Sequence, residues 1–368
     1  MPTLKIIDTQ IIRDDETYHG WPTIGRRRNG ELLVVASAGR EDHVDPFGKV
    51  YLYRSADAGI TWASPRVIVD GPYDDRDAGV IETSRGILLV NWFNSLAWLN
   101  YIYRQEIGQI DWIAPGICAR WRPLRDRLAE TVNPRHELGD WMIRSTDGGT
   151  TWSERIATGI NSPHGPVELK SGRLIYAGKR TTEFKLRVRG SAHEQGNVGV
   201  SVSDDDGRTW EWHGEVPFAQ GHTADSYHEP HLAEASDGTF IMHIRNHNAP
   251  WQGETLQSES CDGGRTWSAP HGIGIWGQPA HLLRLSDGRL LTTYGYRREP
   301  FGNQARISAD CGRTWSQPMT VSADGAGPDL GYPSTVELDD GILVTVWYEH
   351  MKAAGRAVLR QARWRMEG

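Results

Sequence analysis

Cysteine is scarce, with three in 368 residues, at Cys118, Cys261 and Cys311. Three thiols cannot build the disulfide framework of a small secreted domain, and none has metal-ligand spacing, so free thiols and no metal are expected. Positive charge is also short: 40 Lys and Arg stand against 47 Asp and Glu, for a net charge of −7. With no basic stripe between the aromatics, that balance argues against a nucleic-acid partner. No apolar run approaches the ~20 residues a membrane-spanning helix needs. The opening Met1-Pro2-Thr3-Leu4-Lys5 has no hydrophobic signal core, so a cytoplasmic protein without membrane contact is the expectation.

Turn formers and tryptophan are abundant. There are 41 Gly, 19 Pro and 16 Trp, and 38% of the residues are hydrophobic, which suits a turn-rich all-β chain with a large core. The pattern S-x-D-x-G-x-T-W occurs five times, at Ser55–Trp62, Ser145–Trp152, Ser203–Trp210, Ser260–Trp267 and Ser308–Trp315. Each copy reads as a hairpin turn. Ser and Asp side chains take the turn's free N–H groups and Gly supplies a φ > 0 position. Thr and Trp then begin the next strand, the Trp wedging between sheets.

A second repeat puts a turn dipeptide ending in Gly before an apolar run. It occurs six times, at Gly30, Gly86, Gly172, Gly238, Gly288 and Gly341, and five copies follow a proline: Pro22, Pro166, Pro230, Pro279 and Pro333. Six hairpins and five boxes predict a six-bladed β-propeller of four-stranded antiparallel blades, one domain over residues 1–368. The sixth blade has no box. There Ala357–Trp364 reads as a closing strand, with Leu4–Ile12 pairing in the same blade to remove the open edge. An extended first interval between boxes marks an insertion at 95–140, helical around Leu124, Leu128 and Thr131. Trp98, Trp112 and Trp121 give it apolar surface for a lid, an oligomer contact or packing on the propeller's side.

In a propeller the innermost strands line a channel, and the loops at their ends make the pocket. Here those ends carry Arg40-Glu41-Asp42-His43-Val44-Asp45, Arg76-Asp77, Lys179-Arg180, His228-Glu229, Arg245-Asn246-His247, Arg297-Arg298, Tyr332 and Tyr348-Glu349. Charged groups from separate blades converging on one axis point to a ligand site rather than to folding alone.

The five boxes resemble the Asp-box, or BNR, repeat of the sialidase (neuraminidase) superfamily, and three loops extend the resemblance. Gly331-Tyr332-Pro333-Ser334, followed by Asp340-Gly341 and Tyr348-Glu349, is similar to that family's last blade and implies Tyr332 as nucleophile. His228-Glu229-Pro230, followed by Arg245-Asn246, resembles the stretch bearing the assisting Glu and one arginine of a carboxylate-binding triad. The loop from Arg40 resembles the one carrying the general acid, with Asp45 the better match and Asp42 the reserve. Arg297 or Arg298 falls where the family has another triad arginine.

The resemblance implies an exo-glycosidase acting on a terminal acidic, sialic-acid-like sugar of a carbohydrate or glycoconjugate, without cofactor. A neutral Tyr has a pKa near 10 and attacks only once a carboxylate accepts its proton, which Glu229 would do. Asp45 would protonate the leaving oxygen and arginines would hold the sugar's carboxylate bidentately. One position departs. The family's first-blade Arg lies two residues before a Pro, and His19-Gly20-Trp21-Pro22 puts Gly20 there. Arg40 or Arg76 would then substitute, His19 and Trp21 would face the sugar with Trp21 stacking on it, and Asp77, Arg180 and His228 would complete the binding set. Two alternatives remain open: a polysaccharide lyase or rhamnosidase-like hydrolase using His and Tyr, drawing on His19, His164, His228, His231 and His281, and a carbohydrate-binding propeller without catalysis. Oligomeric state is left open.

Overall fold

The computed structural model describes residues 2–109, 115–130, 138–184, 193–351 and 355–367, and its strands form six antiparallel sheets. The expected six-bladed all-β propeller is what forms. Blade 1 runs inner to outer through Tyr18–Arg26, Leu32–Arg40, Lys49–Ser55 and Arg66–Val69. The inner strands of blades 2, 4, 5 and 6 are Asp74–Glu82, Tyr227–Glu234, Ala280–Arg284 and Leu330–Glu337. Blade 3 has a broken inner edge, Ile160–Asn161 and Val167–Glu168, both paired with Leu174–Phe184. Blade 6 closes the ring as expected: the N-terminal strand Thr3–Arg13 lies outermost against Ala357–Glu367, from Thr3 opposite Glu367 to Arg13 opposite Leu359.

The core lies between blades. Ile24, Leu32 and Val34 of blade 1 pack on Val336, Val344 and Val346 of blade 6, and a comparable cluster fills each of the other interfaces. Every box tryptophan joins the cluster toward the preceding blade: Trp62 toward blade 6, Trp152 toward blade 1, Trp210 toward blade 2, Trp267 toward blade 3 and Trp315 toward blade 4. Blade 6, lacking a box, fills its interface with buried Trp347 and Trp364. In each box the serine hydroxyl accepts the N–H of the glycine four residues on, as Ser145 does from Gly149 at 2.8 Å, and the aspartate accepts the threonine N–H and hydroxyl, as Asp147 does from Thr151 at 2.9 and 2.6 Å.

Strand pairing fixes which face is which. Arg26 pairs with Leu32 and Leu32 with Ser55, so the boxes sit at the ends where the inner strands finish. At that end carboxylates latch neighbouring blades: Glu168 accepts the Ser84 N–H at 2.6 Å, Glu234 that of Lys170 at 2.9 Å and Glu337 that of Ser286 at 2.6 Å. On the opposite face, where inner strands begin, the carboxylate links between blades run to side chains instead, as from Tyr18 to Asp329 and from Arg40 to Asp74.

The insertion leaves blade 2 after Leu88–Ser95 as two helices, α1 (Ala97–Glu106) and α2 (Pro115–Glu130), and returns at Asp140–Ser145. Trp98, Ile102, Cys118, Trp121 and Leu128 pack around Val44 and Tyr73. Arg120 of α2 pairs with Glu41. Of the three roles left open, packing against the propeller is the one seen, and it buttresses the loop after Arg40. Trp112 and Thr131 lie outside the described residues. All three cysteines are free, Cys118 buried and Cys261 exposed.

Candidate active site

The inner strands share one irregularity. In blade 1 Gly20 pairs with Ser37 and Thr23 with Val35, so Trp21 and Pro22 stand opposite one residue. The same two-against-one bulge occurs between Arg76 and Gly79, between His228 and His231, and between Gly331 and Ser334. The first bulged residue has positive φ each time: Trp21 at 52°, Asp77 at 51°, Glu229 at 45° and Tyr332 at 52°. A bulge bends the strand and re-aims a side chain, and a left-handed residue bearing a Cβ costs about 1 kcal/mol or more. Prolines follow three of the four, and a bulge on a channel-facing edge strand has no ladder bond there for the missing N–H to break. Four chemically distinct residues thus occupy one repeated slot and converge at the channel mouth on the face opposite the boxes.

Tyr332 Oη donates to Glu229 Oε1 at 2.6 Å, and Arg245 Nη1 donates to Glu229 Oε2 at 2.6 Å and to Tyr332 Oη at 3.0 Å. Burial would raise the Glu229 carboxyl, but the Arg245 charge and the Tyr332 hydrogen bond outweigh it and hold it well below the usual carboxylate range. Burial and then the Glu229 charge push the Tyr332 hydroxyl well above 10, so it rests as a neutral phenol hydrogen-bonded to an ionised base. Asp77 shares this floor. Burial, reinforced by Glu229 and opposed by Arg76, pushes its carboxyl up to about 7, and its Oδ1 has no hydrogen-bond partner.

Of the two candidate arginines after Tyr296, Arg297 lies at the site, with its guanidinium 5.9 Å from the Tyr332 ring centre and Nε donating to the Leu330 carbonyl at 3.1 Å. It has no carboxylate partner among the described residues. Arg298 turns outward and stacks on Trp276 at 3.5 Å. Arg180 also points away, exposed over Trp212 of blade 3's outermost strand. Side chains alternate along a strand, and its neighbour Lys179 takes the inward position, donating to the carbonyls of Ala224 and Tyr227 at 2.7 and 2.8 Å. Burial lowers that ammonium to about 8. His228, half-buried, lies with its ring centre 4.3 Å from that of His247 and its Nε2 against the Asp225 carbonyl.

Blade 1 departs most from expectation. Trp21 is 1% exposed: the Arg76 and Arg40 guanidiniums lie 4.0 and 4.7 Å from its ring centre, and Tyr332 and His43 meet it edge-on at 6.3 and 5.1 Å. It cannot stack on a sugar. His19 is fully buried and bonded to Asp15 and Tyr53, because it precedes the bulge and faces its own blade. Arg40 and Arg76 share Asp74, at 2.8 and 3.6 Å, which fixes both beside Trp21. The Gly20 position is not an open slot, since a Cβ there would lie 3.0 Å from the Tyr18 ring. Asp45 is also spent inside its loop. It is fully buried, and its two oxygens accept the Phe47 and Glu41 N–H groups at 2.7 and 2.9 Å. Asp42 caps the His43 N–H at 2.6 Å and lines a mouth cavity of about 620 Å³ with Tyr18, His350 and Arg356.

A larger cavity, about 980 Å³, opens on the box face below the waist residues His164, His231 and His281. Its carboxylates Glu82, Glu168, Glu234 and Glu337 all accept N–H groups of a neighbouring blade, so the Tyr332–Glu229–Arg245 cluster at the other mouth marks the candidate site.

Residues 30–345 match the BNR repeat-like domain family. The chain belongs to that family. It is a sialidase-like member by its relatives as well: it is 24% identical over 354 residues to a sialidase of Bacteroides fragilis, covering 89% of this chain and 59% of that one. To a sialidase of Micromonospora viridifaciens it is 25% identical over 215 residues, half of this chain and 32% of the relative. The chain thus spans three-fifths or less of the length of these sialidases. Among solved structures, a protein of unknown function from Dyadobacter fermentans superposes over the whole of both chains with a TM-score of 0.78 at 24% identity. The Hadza microbial sialidase Hz136 superposes with a TM-score of 0.63 at 18% identity, over 94% of this chain and 65% of that one. At these identities the superpositions establish the shared fold.

Proposed function

We propose that this BNR-family propeller is an exo-acting glycoside hydrolase that removes a terminal acidic, sialic-acid-like sugar through a covalent bond to Tyr332. The observation that carries this is the three-way contact among Tyr332, Glu229 and Arg245. A Tyr nucleophile is a known exception to the two-carboxylate pattern of glycosidases, and it avoids setting a carboxylate against a carboxylate-bearing anomeric centre. As Tyr332 Oη bonds to the anomeric carbon, its proton passes 2.6 Å to Glu229. Arg245 touches both oxygens, so it stays paired with the negative charge on either side of that transfer. Arg297, free of a carboxylate partner, and Arg245 supply the guanidiniums for the sugar's acidic group. A His-based lyase has less support, because His19, His164, His231 and His281 are buried, and His228, the one candidate histidine at this mouth, is set against His247 and the Asp225 carbonyl.

The test is turnover of aryl glycosides of acidic sugars by wild type and Tyr332→Phe, with mass spectrometry for a glycosyl-tyrosine peptide. Loss of one hydroxyl is expected to lower kcat about 100-fold or more while leaving thermal unfolding unchanged. Near-wild-type turnover by the phenylalanine variant would remove Tyr332 from the chemistry.

A further inference from the structure

A displacement with Tyr332 on the floor sends the leaving oxygen toward the mouth, so its proton donor must sit above the nucleophile. Asp77 occupies the same floor slot as Tyr332 and is on the wrong side. Asp45 is sealed in its loop. The loop instead presents His43, whose side chain is 40% exposed and whose Nδ1 lies 2.9 Å from Asp329 Oδ1. Asp329 is gripped by three further groups: the Tyr18 and Tyr348 hydroxyls donate to it at 2.9 Å each, and His350 Nε2 lies 3.3 Å away. His43 Nδ1 also lies 3.0 Å from the Tyr18 hydroxyl; an imidazole whose Nδ1–H is held by a carboxylate keeps Nε2 for proton exchange, the arrangement by which a carboxylate orients a catalytic histidine. The ring is tied to the reaction centre through Trp21, which meets His43 and Tyr332 edge-on at 5.1 and 6.3 Å.

We infer that His43, oriented by Asp329, is the group that protonates the leaving oxygen and then activates water. The inference rests on the Tyr332 glycosidase proposal. In the first step the anomeric C–O bond breaks as Tyr332 bonds to carbon; the departing oxygen takes the Nε2 proton of imidazolium His43 and leaves as an alcohol, while Glu229 holds the tyrosine's proton. In the second, water attacks the same carbon and gives a proton to Nε2, and Tyr332 leaves, recovering its proton from Glu229. His43 faces Asp329 of blade 6 (which it shares with His350), Tyr18 and Arg40 of blade 1 and Arg76 of blade 2. Burial and the two arginines outweigh Asp329 and set the imidazole below its usual 6.5. Because the first step needs the protonated form, kcat/KM is expected to fall as pH rises through this lowered pKa, giving an acidic optimum.

The experiment uses 4-nitrophenyl and methyl glycosides of sialic acid, 3-deoxy-octulosonic acid and glucuronic acid, with wild type, His43→Ala, His43→Gln and Tyr332→Phe. A nitrophenolate leaves without protonation and a methoxide does not. Both His43 variants should therefore keep kcat/KM on the nitrophenyl substrate within about ten-fold, and lose about 100-fold or more on the methyl glycoside together with the alkaline limb of the pH profile. Azide, as an external nucleophile, should raise their kcat on the nitrophenyl substrate. Equal loss on both substrates, or none on either, would overturn the role of His43 while Tyr332→Phe still reports on the nucleophile. No cleavage of any glycoside by wild type would overturn both proposals.

Discussion

The three waist histidines make a pH-dependent contribution to stability that one substitution can isolate. His164, His231 and His281 come from blades 3, 4 and 5, with ring centres 4.5–5.5 Å apart, and each is at most 7% exposed. Leu282 N–H donates to His231 Nδ1, while His164 Nε2 and His281 Nδ1 have no partner. Burial, then neighbouring imidazoles, lowers all three well below 6.5. A lowered histidine is neutral in the fold and protonated in the unfolded chain between its two pKa values, so its contribution is complete above pH 6.5 and is lost as pH falls below it. The loss is about 1.4 kcal/mol per pH unit per group, or about 2 kcal/mol each between pH 6.5 and 5 if the ring stays neutral. Whole-protein stability will not show this cleanly. Asp75 and Asp77, raised to about 7, and Asp140, raised to about 6, take up protons on folding, and their penalty recedes over the same acidification. His281→Phe keeps an aromatic ring against His231 and removes one titration. Urea unfolding of wild type and variant at pH 7.5 and 5.0 should show the stability difference moving about 2 kcal/mol in the variant's favour at the lower pH. Parallel loss in the two proteins would show that His281 is protonated inside the fold and that burial does not govern it.

Trp267→Ala should cost about 3–5 kcal/mol, read as a fall in the thermal midpoint, because this 7%-exposed ring fills the interface between blades 3 and 4. Gly20→Arg should lower stability and add no affinity for a sialoside, since the new Cβ would meet the Tyr18 ring at 3.0 Å; unfolding and inhibitor titration of the variant check both halves. Lys179→Met should release two carbonyl hydrogen bonds under the Glu229 strand, lowering stability by about 1–3 kcal/mol, and calorimetry at pH 7 measures it.

The propeller was legible because its signal is periodic. Five boxes and six glycine hairpins state the same repeat twice, and each box tryptophan has one place to go once the blades are stacked. The Tyr332 and Glu229 positions were legible through the resemblance of their local sequences, and the structure puts their oxygens in contact. Side-chain direction was not. Strand alternation has period two, and a bulge breaks that period at the residue where the chemistry sits. His19 and Trp21, read as facing one ligand, both went into packing on this account, and Lys179 rather than its neighbour Arg180 turned inward. Asp45 misled in another way: matching spacing to a general acid says nothing about whether two backbone N–H groups already claim the carboxylate. The signal that would have exposed His43 was Asp329, 286 residues away in sequence and meaningful only once blade 6 lies beside blade 1.

The repeated bulge also explains why the blades can differ in chemistry without differing in fold. A left-handed residue on four of the inner strands lifts one side chain off the sheet toward the channel mouth, away from the aliphatic clusters between the blades; Trp21 and Tyr332 meet there in a small aromatic cluster of their own. The slot is therefore tolerant of residue type: it takes an acid at Asp77, a base at Glu229, a phenol at Tyr332 and an indole at Trp21 with φ between 45° and 52° throughout. What the slot demands is that a charged partner, from its own blade or another, meet whatever is placed there. Arg245 answers Glu229 and Tyr332, and Arg76 and Arg40 answer Trp21. Blade 1 has spent its slot on an indole covered by its own Arg40 and by Arg76 of blade 2, which leaves the adjoining mouth loop, with His43 set against Asp329, to carry the proton that the floor cannot deliver.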